Sequence, residues 1–191
     1  MNNKKNINYK IKDSIAIITL NRSPSNAFTI QFLDEILNSL TKASKDKRVK
    51  VVIIESNIAK TFCAGLDLNI LINKSSMEIR EFLNRLYIDL WDVQYNMGKP
   101  IIAAVNGAAR GGGMTLAISC DMIIASDNAS FGYPEINLGL LPAIHFNHLP
   151  RIVGRYNAFE LLFSGRTFYP DEAVNCLLYT SDAADEVAWV V

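Results

Sequence analysis

Cysteine is scarce in this chain: Cys63, Cys120 and Cys176 are the three among 191 residues. An odd number without paired spacing excludes a disulfide framework and a zinc site of the common paired form, and no other metal-ligand cluster stands out. A reduced, cytoplasmic setting is the expectation that follows. An excess of charge of either sign is lacking too, since 19 Lys and Arg face 19 Asp and Glu. Nucleic acid and anionic membrane both reward a concentrated basic face, so neither is expected as a partner; a small molecule is. Long hydrophobic runs are also missing. The lysine-rich opening, residues 1–12, lacks the run of about seven or more apolar residues that a secretion signal needs. No segment nears the roughly eighteen that span a bilayer. What is present is a chain half hydrophobic and 20% charged, which excludes general disorder and fits one domain of ordinary size.

Its apolar periodicity predicts an α/β organisation. Residues 8–12 and 14–20 read as strands, the second a β-branched tract. From Thr29, an N-cap, apolar residues fall at Leu33, Ile36, Leu37 and Leu40, one face of a helix, with Asp34 and Glu35 near its positive end. Residues 49–55 form a near-continuous apolar run, the pattern of a strand covered on both faces. Strand, helix, strand predicts crossover units with parallel pairs. The rhythm repeats. Ser75 and Glu78 form a capping box before a long amphipathic helix whose face runs Ile79, Phe82, Leu83, Leu86, Leu90, Val93 and Met97, until Gly98 and Pro100 stop it. Strands at 101–105 and 122–125, a short helix at 111–119 and a helix at 157–163 closed by Gly165 follow.

Three segments hold candidate chemistry. The first is Asn106-Gly107-Ala108-Ala109-Arg110-Gly111-Gly112-Gly113-Met114. Glycine in a helix costs about 0.5–1 kcal/mol relative to alanine, so three at a helix start call for close backbone approach. Dinucleotide and phosphate-loop spacings both fail here. Two readings remain: free amides that hold a transient oxyanion, or a helix packed tightly on the sheet. The second segment, Lys60-Thr61-Phe62-Cys63-Ala64-Gly65-Leu66-Asp67-Leu68, is a turn with exposed backbone donors. Within it Asp67 reads as a cap or an acid, and Cys63 as a small packed residue or a nucleophile. The third sets Glu135 in the apolar stretch of residues 131–142. Desolvation there would raise its pKa toward the range useful for proton transfer; in a solvated loop it would do nothing.

Taken together, Leu20-Asn21-Arg22 with Asn26-Ala27, residues 62–68 and 104–114, Cys120-Asp121 and residues 131–139 resemble the crotonase superfamily, the enoyl-CoA hydratase and isomerase family. The likeness covers nearly all of residues 1–175. It implies a crotonase-like (ClpP-like) spiral of repeated ββα units, and an enzyme acting on acyl-CoA with no cofactor beyond the coenzyme A of its substrate. It implies that the amides of Leu66 and Gly112 bind the thioester oxygen and stabilise the enolate. Such donors are typically worth about 2.7–4 kcal/mol each. The turn residues Ala64, Leu66, Asp67 and Leu68 resemble the stretch that also holds the adenine end of the CoA.

Glu135 matches the family glutamate that handles the proton at the α carbon. The other family glutamate falls on Thr115, whose hydroxyl can hold a water or a substrate oxygen but is no carboxylate base. One carboxylate suffices for a 1,3-proton shift. A double-bond isomerase or a single-glutamate hydratase is therefore expected, with a catalytically silent acyl-CoA-binding or scaffolding homologue as the alternative. After Pro142 the family's glycines give way to Ala143-Ile144-His145-Phe146-Asn147-His148, which should reshape the acyl pocket. His145 is either a second proton carrier near Glu135 or a buried, hydrogen-bonded core residue; His148 reads as structural or exposed. Family members form trimers, often paired into hexamers, through C-terminal helices. From Cys176 the string resembles translated adaptor sequence, so residues 176–191 are expected to be non-native and the C-terminal helical region missing, with no functional weight on Cys176 or Trp189.

Overall fold

Two sheets, visited in turn, absorb the apolar tracts. The computed structural model describes residues 5–72 and 74–176. Strands β1 (Ile7–Lys12) and β2 (Ile15–Leu20) pair as an antiparallel hairpin. Helix α1 (Ile30–Lys45) then carries the chain to β3 (Val51–Ser56), parallel to β2 with Ile17 opposite Ile53. Thr29 is its N-cap, as expected, its hydroxyl accepting from the Phe32 amide at 3.2 Å. Asp34 and Glu35 lie beyond the first turn and meet Arg85 and Asn6 instead.

Next β4 (Thr61–Cys63) opens the second sheet. The capping box of Ser75 and Glu78 starts α2 (Ser76–Asn84), which runs through one π-helical turn (Arg85–Asp89) into α3 (Leu90–Tyr95). The chain re-enters the first sheet at β5 (Ile101–Val105) and the second at β6 (Ala108–Arg110). Helix α4 (Gly112–Ile118) precedes β7 (Met122–Ala125) and β8 (Ser130–Gly132), again one strand for each sheet. With β9 (Thr167–Phe168), the orders are β1-β2-β3-β5-β7 and β4-β6-β8-β9. Strand, strand, helix therefore repeats as the ββα spiral that the resemblance implied. Helices α5 (Ala143–Val153), α6 (Arg155–Ser164) and α7 (Pro170–Asn175) follow β8, with Gly165 closing α6 at φ +62°.

Two features differ from the sequence expectation. In β3, Val52 and Ile54 are buried but Val51 and Ile53 are partly exposed, so the strand is covered on one face. The reason is that the core, where Ile18, Leu20 and Ile54 meet Leu33, Ile36 and Leu40 of α1, lies on one side of the sheet. Helix α5 was masked in the sequence by its prolines: Pro142 sits at its cap and Pro150 inside it, where the missing amide weakens the helical signal. No helix among the described residues is long and apolar enough to cross a membrane. The adaptor-like tail beyond residue 176, Trp189 included, lies outside the described residues.

Candidate active site

Because β4 and β6 are parallel neighbours, the turn after one and the helix start after the other leave the second sheet side by side. Gly65, in that turn, has φ +89°, and a Cβ on it would stand 2.6 Å from the Arg110 carbonyl oxygen and 3.1 Å from the Gly112 nitrogen. Only a residue without a side chain fits that crossing. A Cβ on Gly113 would lie 2.1 Å from the Cys63 carbonyl oxygen, so α4 rests directly on β4. The packing reading of the glycine triplet applies at Gly113, whereas Gly112 lines a cavity.

The turn is clamped from its other side. The Phe28 amide donates to the Gly65 carbonyl at 2.7 Å, and the Asp67 amide donates to the Phe28 carbonyl at 3.0 Å. Leu66 sits between those two bonds, its own amide uncommitted. Neither the Leu66 nor the Gly112 amide has an acceptor among the described residues.

Both residues line a cavity of about 310 Å³. Pro134 starts a 3-10 turn (Pro134–Leu138) that carries Glu135 into the same wall, against Gly111, where a Cβ would fall 2.5 Å from Glu135 Oε1. Glu135 Oε2 is buried without a hydrogen-bond partner. Burial pushes the carboxyl above the usual glutamate pKa, partly countered by a hydrogen bond from its own backbone amide. Among the described residues the rest of the wall is apolar, built from Leu66, Leu68, Leu83, Leu86, Leu138 and Leu141 among others, except for Tyr87. Tyr87 escaped the sequence reading because, four residues after Leu83 and three before Leu90, it falls on the apolar face of the helix and reads as one more core residue.

Of the residues expected at the substrate, Ala64, Leu66, Leu68, Gly112 and Glu135 line this cavity; Asp67 and Thr115 do not. Asp67 caps the 3-10 turn Leu68–Leu71, accepting from the Asn69 amide at 3.2 Å, and pairs with Arg22 at 2.9 Å. Burial works against its charge, but hydrogen bonds from Asn69 and Arg22 hold the carboxyl below its usual value. Thr115 is buried behind the wall, its hydroxyl 3.1 Å from His145 Nε2. Burial, aided by His148, lowers the His145 pKa to about 3, so the ring is a neutral core group packed on Tyr133 and lies outside the cavity wall. His148 is half-buried, edge-on to Trp91. The Cys63 thiol donates to the Asn26 carbonyl at 3.1 Å and burial pushes it up to about 12, which removes it as a nucleophile.

Asn26 does more than its place in a motif suggested. Fully buried, it accepts from the Arg22 amide at 2.8 Å and donates to Ser56 Oγ and the Phe62 carbonyl, tying the strand ends to the Leu66 turn. Among the described residues no group of three or more His, Cys, Asp or Glu could hold a metal ion.

Residues 10–187 match the family model described as enoyl-CoA hydratase/isomerase. Crotonyl-CoA hydratase of Syntrophomonas wolfei is 39% identical over 170 residues, covering 88% of this chain and 65% of that protein. For 2,3-dehydroadipyl-CoA hydratase of Escherichia coli the identity is 38% over 161 residues, covering 83% and 62%. The chain thus spans just under two thirds of the length of these curated relatives. The crystal structure of enoyl-CoA hydratase from Bacillus anthracis superposes with a TM-score of 0.86 at 31% identity, covering 92% of this chain and 69% of that one. With the spiral, the family match and these relatives in agreement, the chain belongs to the enoyl-CoA hydratase/isomerase family of the crotonase superfamily.

Proposed function

We propose that this chain acts on an enoyl-CoA thioester through its enolate, with the thioester oxygen held by the Leu66 and Gly112 amides and the α-carbon proton moved by Glu135. One observation carries the reading: two unpartnered amides and one desolvated carboxylate share an apolar cavity. Fixed donors stabilise an oxygen that gains charge without having to reorganise, and the low-polarity surroundings strengthen the effect. A glutamate with a raised pKa is also better matched to proton transfer near neutral pH than an ordinary one. By likeness to the family, the turn holding Ala64, Asp67 and Leu68 is assigned to the adenine end of the CoA.

Two reactions share this enolate. In a double-bond shift, Glu135 takes a proton from C2 of a 3-enoyl-CoA and the dienolate takes it back at C4, leaving a 2-enoyl-CoA; nothing beyond the three groups is required. Hydration needs a held water as well, and it is favoured as a second reading by the hydratases among the relatives. The test is to incubate the protein separately with 3-enoyl-CoA and 2-enoyl-CoA. Conversion of either supports enolate chemistry. Saturable binding with no conversion of either refutes it and leaves a silent acyl-CoA-binding protein.

A further inference from the structure

Among the described residues, Glu135 is one of two polar side chains in the cavity wall; the other is Tyr87. Its ring is half-buried, and its hydroxyl makes no hydrogen bond to any described residue. Tyr87 lines the cavity beside Glu135, and with no protein partner its hydroxyl is free to bond a water or a substrate group that enters. The local backbone points the same way. Tyr87 sits in the π turn Arg85–Asp89, the one such turn among the described residues. Such a turn is rare inside an α-helix and recurs at functional positions. Here Leu86 on the core side and Tyr87 beside it both reach the cavity, with Leu86 Cδ2 3.5 Å from where a Gly112 Cβ would be. Burial first, and the nearby Glu135 carboxylate second, push the Tyr87 phenol up to about 12, which keeps it neutral and places the two groups within electrostatic reach.

We propose that Tyr87 is the second polar group of the reaction centre, holding the water that adds to a 2-enoyl-CoA and so making this site a hydratase. The inference rests on the enolate reading above and deepens it. Thr115, which the resemblance aligns with the second family glutamate, is committed to His145 outside the cavity and is not available for that task.

The step balances with the groups present. One hydrogen of the water bonds to Glu135 and the other to the Tyr87 oxygen, which leaves a lone pair directed at C3 of the substrate. As the oxygen–carbon bond forms, the C2–C3 π pair moves onto the thioester oxygen at the Leu66 and Gly112 amides, and the first hydrogen passes to Glu135 as a proton. The enolate then collapses and takes that proton at C2. Water has been added across the double bond, Glu135 is a carboxylate again, and Tyr87 has kept its proton throughout.

Tyr87→Phe removes only the oxygen, so packing is retained. Two rates are compared in the wild type and the variant: hydration of a short 2-enoyl-CoA, and exchange of the C2 hydrogens of the saturated acyl-CoA with deuterium oxide, which needs the amides and Glu135 but no added water. The expected result is a fall in the hydration-to-exchange ratio of roughly tenfold to a hundredfold, the range for one hydrogen bond to a group that gains charge. An unchanged ratio, whether both rates hold or both fall together, overturns the assignment. Wild-type protein that exchanges deuterium but never hydrates also overturns it while leaving the enolate reading intact; wild-type protein that exchanges nothing defeats the enolate reading itself.

Discussion

Replacing Gly65 by alanine strikes the proposed oxyanion site through its backbone, and the size of the effect can be worked from the geometry. At φ +89° an alanine is strained by about 1–2 kcal/mol. Its Cβ would also stand 2.6 Å from the Arg110 carbonyl oxygen, so either the turn or β6 has to move. In a domain of this size each kcal/mol lowers the melting temperature by roughly 2–4 °C. The Leu66 amide is the next bond along the chain, and displacing one such donor costs about 2.7–4 kcal/mol of transition-state stabilisation, a fall in kcat of roughly a hundredfold to a thousandfold. Gly98→Ala is the control: φ is +67°, but nothing lies within 4 Å and the residue is outside the cavity wall. It should lose thermal stability by the same class of backbone strain while keeping its turnover. Thermal unfolding of both variants, followed by turnover well below both transitions, separates the effects. Wild-type kcat in Gly65→Ala, or an equal loss of kcat in Gly98→Ala, would refute the reasoning.

Glu135→Gln should bind acyl-CoA normally but turn over at least about a hundredfold more slowly, as loss of general acid–base catalysis requires. The same variant should melt higher at neutral pH. Because the folded-state pKa of Glu135 lies above its unfolded value, the fold holds the proton more tightly, and wild-type stability relative to Gln is lost as pH rises through that interval; equal melting temperatures at pH 7 and above would contradict it. Wild-type turnover should fall on the acid side with a midpoint above that of an ordinary glutamate, and Glu135→Gln should abolish that limb. Thr115→Val leaves His145 Nε2 buried without its partner, so stability should drop by about 1–3 kcal/mol with kcat little changed. A large loss of kcat with an unshifted melting curve would instead put Thr115 at the substrate. Since His145 is held neutral down to about 3 against 6.5 unfolded, it binds its proton more readily when unfolded, and thermal stability should decline as pH falls from 6.5 toward 3. A flat profile over that window would rule out a buried neutral imidazole.

What could be read in the sequence was what depends on local chemistry. Thr29 and the pair Ser75 and Glu78 cap helices because a side-chain oxygen needs only the next three residues to do so, and both were found where they were expected. The apolar stripes of α1 and α2 follow from the 3.6-residue period. Strands β4, β6, β8 and β9 have two or three residues each, too few to show a period, so the second sheet was invisible even though it positions the site. Glu135, Leu66 and Gly112 were singled out by composition and resemblance, but their meeting depends on β4 and β6 lying side by side, which no local rule dictates. Thr115 and Asp67 stand outside the cavity wall for one reason: each satisfies a protein partner, His145 or Arg22, far away in the chain. Tyr87 was missed because it shares the helical face of Leu83 and Leu90, where an aromatic residue reads as core rather than as a wall of the site.

The most direct measurement is isotope-edited infrared spectroscopy of a saturated acyl-CoA carrying carbon-13 at its thioester carbonyl. Two amides converging on that oxygen polarise the bond, so the carbonyl band should move to lower frequency on binding, and should move less far in Gly65→Ala. A bound ligand whose carbonyl band stays where it lies in water would contradict the oxyanion site on which the chemistry rests.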